Sequence, residues 1–473
     1  MRPTFYGFEA ARSGMTAAQA GLDVTGNNIA NLSTEAYSRQ VVDQTATFYG
    51  STSDKLAPVG LTQTTGSGAT VEGINQVRSQ FLDLRYRDAN AVNSANAKMF
   101  SILSDVENNF DETENDGLSA MLEDFNKQLQ VLSLNAGEVE YASLARSSAQ
   151  KVAQTLNQYS AQLTAIRKQT ADEMEISVKD ANTLLGKIAT INESIKIATL
   201  QGTETNALND MRNQYLDKLS SYMNIRATYL TDGTVSIASG STALLDAAGG
   251  TVATLETEDG ASGMRLLADG APMNLAGGSL FGSMQVLNGK GSYAASGENS
   301  FRGIPYYQAS LDSLADSLSS TFNALNGSAL FTGSGAADIA ISSQWLANPN
   351  HITATLDADG AKGKNDNILR MISAMDEDRA ITSDFTGSFG GYVLALMGDV
   401  AIDKDYTADV SETSDMVFRS IGNERESTMG VSLNGETANL IKYQKAFAAS
   451  ARVMTALDET LDTVINRMGT VGR

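Results

Sequence analysis

Apolar residues recur at a step of seven at both ends of this chain. Near the N-terminus the step runs through Phe8, Met15, Leu22 and Ile29, with Ala11, Ala18, Thr25 and Leu32 three residues on. Near the C-terminus it runs through Leu433, Leu440, Phe447, Met454, Leu461 and Met468, with Tyr443, Leu457 and Val464 in the second slot. A strict heptad keeps one narrow seam turned toward a partner helix, so the pattern predicts coiled-coil packing. An ordinary amphipathic helix docked on a core would show a broader stripe at a period of 3.6.

Between these ends the pattern changes several times. The helical signal breaks at residues 27–37, which are rich in Asn, Ser and Thr, and residues 40–48 alternate weakly as an extended segment would. A Ser/Thr/Gly-rich stretch at 50–68 follows. Helical spacing returns at Val77, Phe81 and Leu84, runs on to Phe110, and resumes after an acidic break at 111–117 with Leu118, Leu122, Phe125, Leu129 and Leu132. The longest signal runs from Tyr141 through Leu156 and Leu163 to Ile195. Some sixty helical residues would extend about 90 Å, which implies a rod.

From Arg226 the texture turns glycine-rich, with alternation at residues 234–237 and Asp-Gly pairs at 232–233, 259–260 and 269–270. Asp-Gly is hairpin-turn chemistry, because glycine accepts the positive φ that such turns need. Helix resumes after Pro305 with Tyr307, Leu311, Leu314, Leu318, Phe322 and Leu325. Residues 331–427 read as mixed, with a Gly-rich loop at 385–392. The predicted fold is mainly α with a β-rich insert: an elongated multi-domain rod whose terminal coiled-coil helices pair at one end. The segments are 1–40 (N-terminal heptad helix and loop), 41–225 (long-helix rod), 226–303 (Gly-rich β domain), 304–427 (returning rod) and 428–473 (C-terminal heptad helix).

Composition narrows the function classes. The 473 residues carry a formal net charge of −21, which disfavours binding to nucleic acid or anionic lipid. The absence of cysteine excludes thiolate chemistry, disulfides and Cys-ligated metals. No run of eighteen apolar residues predicts a membrane span, and residues 1–20 lack the apolar core of a cleaved secretory signal. Candidate chemistry is thin. His351 is the sole histidine, in a turn where solvation is the expected role. The segment Asp111-x-Thr113-x-Asn115-Asp116 fails as a calcium loop, with Asp116 where Gly is required and Leu122 where a bidentate Glu belongs. Gly289-Lys290 and Gly363-Lys364 lack the rest of a phosphate loop, and Asp376 and Asp378 lack aromatic sugar platforms, Trp345 being the one tryptophan. No catalytic residue, cofactor or metal is predicted.

Asn27, Asn28, Ile29, Ala30 and Asn31, followed by Tyr37, Arg39 and Gln40, resemble the N-terminal signature of bacterial flagellar rod, hook and hook-associated proteins. The signature has Gly before the Tyr, where this chain has Ala36. Three further stretches are similar to the hook-associated protein 1 family. They are Asn206-Ala207-Leu208-Asn209-Asp210-x-Arg212 with Leu216 to Ser220; Ile304-Pro305-Tyr306-Tyr307 with Leu311-Asp312; and Gly430-Val431-Ser432-Leu433 with Tyr443-Gln444-Lys445 and Ala451-Arg452-Val453-Met454. After Leu433 the family's acidic pair is replaced by Asn434 and Gly435.

The resemblance implies an extracellular, non-enzymatic subunit joining flagellar hook to filament, exported through the type III apparatus without a cleaved signal. It implies as partners the hook protein, hook-associated protein 3, further copies in a junction ring, and a cytoplasmic chaperone on the C-terminal helix, with no nucleic acid and no membrane insertion. A hook-type or hook-associated protein 3 subunit is the alternative within this class; a glycan-active enzyme on a flagellar scaffold is the alternative outside it. The residues expected to carry assembly are the ten first-slot positions, Phe8 to Ile29 and Leu433 to Met468. In the free subunit both heptad segments are expected to be disordered or weakly helical, because each lacks a partner for its seam.

Overall fold

The computed structural model describes residues 6–34, 36–47, 68–110, 117–260, 263–356 and 363–467. Met468, the would-be calcium loop and most of the stretches at 50–68 and 111–117 lie outside them. Helix α1 (Tyr6–Ala30) leads into an antiparallel hairpin of β1 (Gln40–Ala46) and β2 (Ala69–Gln76). Then come α2 (Gln80–Phe110), α3 (Leu118–Leu134), the 63-residue α4 (Val139–Gln201) and α5 (Asn206–Tyr222). At 1.5 Å per residue α4 is about 95 Å long. It ends at Gly202, whose φ of 67° is the left-handed cap that releases the chain from a helix.

The strand-rich insert is two small antiparallel sheets. One orders β3 (Arg226–Tyr229), β4 (Val235–Ser239), β5 (Thr242–Asp246) and β6 (Thr251–Val252); the other orders β7 (Leu255–Gly260), β8 (Gly263–Ala268) and β9 (Ala271–Pro272). Asp269 and Gly270 turn β8 into β9 with φ of 50° and 78°, both positive as the Asp-Gly pair predicts. The return path is α6 (Ser279–Asn288), α7 (Ile304–Asn326), the short pair β10 (Phe331–Thr332) and β11 (Ala340–Ile341), α8 (Ser343–Ala347) and α9 (Asp366–Asp376). It continues through the pair β12 (Arg379–Ala380) and β13 (Thr386–Gly387), the 41-residue α10 (Phe389–Met429) and α11 (Leu433–Asp462).

Two cores are strung along α4. Its first half supplies Val152, Leu156 and Leu163 to a core with Phe125, Phe322 and Trp345; its second half supplies Met174, Val178 and Leu185 to a core with Leu219, Ile237 and Leu266. The strands therefore share a core with α4, α5 and α6, and the expected boundaries at 226 and 303 do not mark a separate core. The mainly helical, elongated architecture with a strand-rich insert is as the sequence predicts.

Three local readings differ. The helical pattern expected to break at residue 27 persists to Ala30, because the asparagines there bond to the loop that follows. The expected loop at 385–392 holds β13 and the first turn of α10, where Ser388 caps the helix by accepting from Gly391 N at 3.1 Å. His351 is half-buried in a single 3₁₀ turn, its Nε2 3.2 Å from Ser328 Oγ, rather than solvated.

Candidate assembly interface

The two terminal helices meet each other. Helices α1 and α11 run antiparallel, with Gly7 facing Leu457, Gly14 facing Ser450 and Gly21 facing Tyr443. The three glycines are themselves seven residues apart, and lack of a side chain is what lets the helices approach. A Cβ built on Gly21 would sit 2.5 Å from Cδ1 and Cε1 of the Tyr443 ring. Ala11, Ala18 and Thr25 are buried beside this glycine line, and Val24 and Ala17 are buried on its other flank. That flank meets the β1–β2 hairpin, where Gln44 Nε2 donates to Ala17 O at 3.3 Å and Ala69 N donates to Ser13 Oγ at 3.3 Å. Helix α1 is thus clasped between a hairpin and α11, and small residues at its axis permit both contacts.

The motif around residues 27–40 ends this helix and starts the hairpin. Asn28 is fully buried and its amide imitates a strand partner: Nδ2 donates to Gln40 O at 2.9 Å, while Oδ1 accepts from Gln40 N at 3.0 Å. The same oxygen accepts from Tyr37 OH at 2.8 Å, and Asn27 Nδ2 donates to that hydroxyl at 3.2 Å. Asn31 Nδ2 returns to Asn27 O at 3.0 Å and Oδ1 accepts from Thr34. Arg39 uses its backbone, donating N–H to Met429 O at 2.9 Å and accepting at O from Val77 N at 2.8 Å. One residue therefore ties the hairpin to the end of α10. Ala36 has φ of 62°, a left-handed conformation that explains glycine at this place in the resembling signature. Burial, then the carboxylates of Asp210 and Glu436, push the Tyr37 phenol up to about 12.

A buried ionic chain fastens this end to the rod. Ser38 Oγ accepts from Arg78 at 2.8 Å, and Arg78 Nε lies 2.7 Å from Asp83 Oδ2. Asp83 Oδ1 lies 3.0 Å from Arg425 Nε, and Arg425 Nη2 lies 2.7 Å from Asp217 Oδ2. Asp217 Oδ1 lies 2.8 Å from Arg87 Nε. The run links the loop after α1 to α2, α10 and α5 in turn. Arg425 also stacks 4.4 Å above the Tyr86 ring. Alternation of sign lets Asp83, Arg425 and Asp217 each face two opposite charges, which offsets the cost of desolvation. Beside the chain, an open cleft of about 550 Å³ separates residues 31–34 and 36–38 from α2, α5 and α10.

The sequence-predicted seam is only partly the seam observed. Leu440, Phe447, Met454 and Leu461 are half-buried on the side of α11 that faces α1, with Tyr443 and Leu457. Phe8, Met15, Leu22 and Ile29 are half-buried too, one position off the glycine line, so they flank the contact rather than fill it. The physical reason is room, since a bulky side chain on the axis would force the helices apart. Leu433 and Val464 are exposed. Both segments are regular helices paired within one chain, where disordered or weakly helical ends had been expected. Among the described residues no group of His, Cys, Asp and Glu could hold a metal, and no helix is long and apolar enough to cross a membrane.

Three family models and several known proteins match the chain. Residues 103–341, half of the chain, match the model of the flagellar hook-associated protein FlgK helical domain. Residues 8–37 match the flagella basal body rod protein model, and residues 425–468 match the flagellar basal body rod FlgEFG protein C-terminal model. Flagellar hook-associated protein 1 of Bacillus subtilis (strain 168) is 29% identical over 511 aligned residues, covering 100% of both chains. Its Escherichia coli (strain K12) counterpart is 24% identical, covering 96% of this chain and 98% of that one. The solved structure of the flagellar hook junction protein FlgK from Burkholderia pseudomallei is 21% identical with a TM-score of 0.46, covering 53% of this chain and 46% of that one.

Proposed function

The chain belongs to the flagellar hook-associated protein FlgK family, and on that footing we propose that it is a structural subunit joining hook to filament in a bacterial flagellum. The observation that carries the reading is the family match over residues 103–341. The rod-protein matches at 8–37 and 425–468 support it, because they fall on the two helices that pair.

In this reading the α1–α11 pair is the assembly module. Phe8, Met15, Leu22 and Ile29 on one helix, and Leu440, Phe447, Met454 and Leu461 on the other, keep apolar surface open to water in the single chain. Leu433 adds a further exposed position, and Met468 completes the heptad beyond the described residues. Neighbouring copies in a junction ring would cover that surface, at about 25 cal/mol for each Å² removed from water. The rod carries the outer wall, and the ionic chain from Ser38 to Arg87 sets its angle to the module.

The hook protein and hook-associated protein 3 are the axial neighbours this role requires. A cytoplasmic chaperone would shield α11 before export through the flagellar type III apparatus to the extracellular junction. The test is deletion of the chain in its source bacterium, with electron microscopy of the cells. Hooks without filaments, restored by the wild-type chain, support the reading; filaments of normal number on the deletion strain refute it.

A further inference from the structure

Helix α5 carries polar side chains that reach three parts of the molecule: the terminal module of α1, the hairpin and α11; the rod; and the strand-rich insert. Asp210, Asn213 and Asp217 stand at i, i+3 and i+7 and so share one face, while Arg212 lies off it.

Asp210 and Asn206 face the module. Asp210 Oδ1 lies 3.6 Å from Arg78 Nη1, the nitrogen that donates to Ser38 Oγ at 2.8 Å. Asn206, the first residue of α5, clamps strand β2: its Nδ2 donates to Ile74 O at 2.7 Å, and its carbonyl accepts from Gln76 Nε2 at 3.0 Å. Arg212 faces the insert. Its Nη1 donates to Gly233 O at 2.6 Å, in the turn between β3 and β4, and its guanidinium lies 5.5 Å from the Tyr229 ring centroid. The same nitrogen donates to Asn192 Oδ1 at 3.3 Å, an oxygen that also accepts from Val235 N in β4.

Asn213 and Asp217 join the two sides through the rod. Asn213 Oδ1 accepts from Arg87 Nη2 of α2 at 3.0 Å and from Tyr229 OH of β3 at 3.1 Å. Asp217 holds Arg87 with one oxygen and Arg425 with the other. Arg87, Arg212 and Asn213 are buried, so water does not replace a partner that moves away. Arg212 is in no ion pair among the described residues, and burial pulls its guanidinium down to about 10. Its charge is held by carbonyl and amide oxygens, and a shift of the β3–β4 turn would strand it.

A helix of 17 residues, about 25 Å long, moves as one body. We propose that α5 is a transmission element, making the seating of the terminal module and the packing of the insert one coupled equilibrium. Ser38 and Tyr229, at the two ends of the route, share no hydrogen-bond partner among the described residues. Sites of that kind ordinarily act independently, to within about twofold. Here, opening of the module draws α5 away from Tyr229, so a bond made only in the closed form resists opening at a distance. The coupling belongs to the single chain, and its test is separate from the flagellar role.

Ser38→Ala and Tyr229→Phe each remove one hydroxyl and keep the rest of the side chain. Amide hydrogen exchange of the full chain is followed at β2 in the module and at β4 in the insert. Tyr229→Phe should speed opening at β2 about fivefold, the full worth of one hydrogen bond. Ser38→Ala should speed opening at β4 several-fold, because coupling acts in both directions. Asn288→Ala is the control: its amide bonds Met264 N and O, so its loss loosens the insert away from α5 and should leave β2 within about twofold. A β2 strand unmoved by Tyr229→Phe, moved equally by Asn288→Ala, or already exchanging as an unfolded chain in the wild type overturns the proposal. Should Tyr229→Phe unfold the insert, Ser38→Ala decides, and a β4 strand that it leaves unchanged overturns the proposal as well.

Discussion

Gly21 gives the sharpest test of how the terminal helices meet. Replacing an ordinary helix glycine with alanine stabilises by about 1 kcal/mol, because alanine restricts the unfolded chain and suits the helix. Gly26, in the same helix, has no atom within 4 Å of a built Cβ, and Gly26→Ala should show that gain. At Gly21 the new Cβ would lie 2.5 Å from the Tyr443 ring and 2.7 Å from its Cγ, close to the root of the side chain, so the ring must be displaced. Overpacking of this kind costs about 1–3 kcal/mol. Relative to Gly26→Ala, Gly21→Ala should therefore weaken the α1–α11 pair by about 1–3 kcal/mol. Amide hydrogen exchange across α1 and α11 reads this as roughly five- to 150-fold faster opening in the Gly21 variant. Adding Tyr443→Ala to Gly21→Ala removes the obstruction, so the two changes should couple rather than add. Equal stabilisation by the two alanines, or simple additivity with Tyr443→Ala, would refute close packing at this glycine.

Other consequences follow from the same end of the molecule. Ala36→Gly, which relieves a φ of 62°, should raise stability by about 1 kcal/mol in urea unfolding; a loss would show that the turn is not left-handed in solution. The Tyr37 phenol is raised from 10.0 to about 12 in the folded chain, so its contribution is complete below pH 10 and is lost as pH climbs through 12. The wild-type melting temperature should fall across that window more than that of Tyr37→Phe, and parallel curves would contradict the assignment. Leu440→Asp, on a half-buried position, should leave the rod folded by circular dichroism yet stop junction assembly; normal filament growth would contradict its role.

Much of the fold is legible because apolar residues dominate the stripe that each helix buries. Leu118, Leu122, Phe125, Leu129 and Leu132 announce α3, and the Asp-Gly pair at 269–270 announces its hairpin turn. Helix α10 is harder to see. Its seam runs Val393, Val400, Thr407, Ser414 and Ile421, and the two hydroxyls interrupt an otherwise apolar heptad. They are tolerated because Thr407 Oγ1 donates to Asp403 O at 3.0 Å and Ser414 Oγ donates to Asn93 Oδ1 at 3.2 Å. The centre of the α1 seam was missed for the opposite reason. A search for apolar side chains scores Phe8 and Met15 and gives no weight to Gly7, Gly14 and Gly21, although their seven-residue step is equally regular. Strand β2 carries Glu72, Gly73 and Asn75, which hide its alternation. In the motif, the residues were legible by resemblance, whereas the reason for Asn28, a side chain standing in for a strand, needed coordinates.

The central claim is that α1 and α11 of one chain stay partners in the assembled flagellum. Gly14 and Ser450 allow a direct measurement, since a Cβ at Gly14 would lie 3.9 Å from Ser450 Cβ, within disulfide range. Flagella built from a Gly14→Cys, Ser450→Cys chain can be oxidised and assayed for free thiol and for size on non-reducing gels. A monomer-sized species without free thiol is the predicted result. Oligomers joined through these two positions, or thiols that remain free, would show that the helices exchange partners on assembly and would contradict the account.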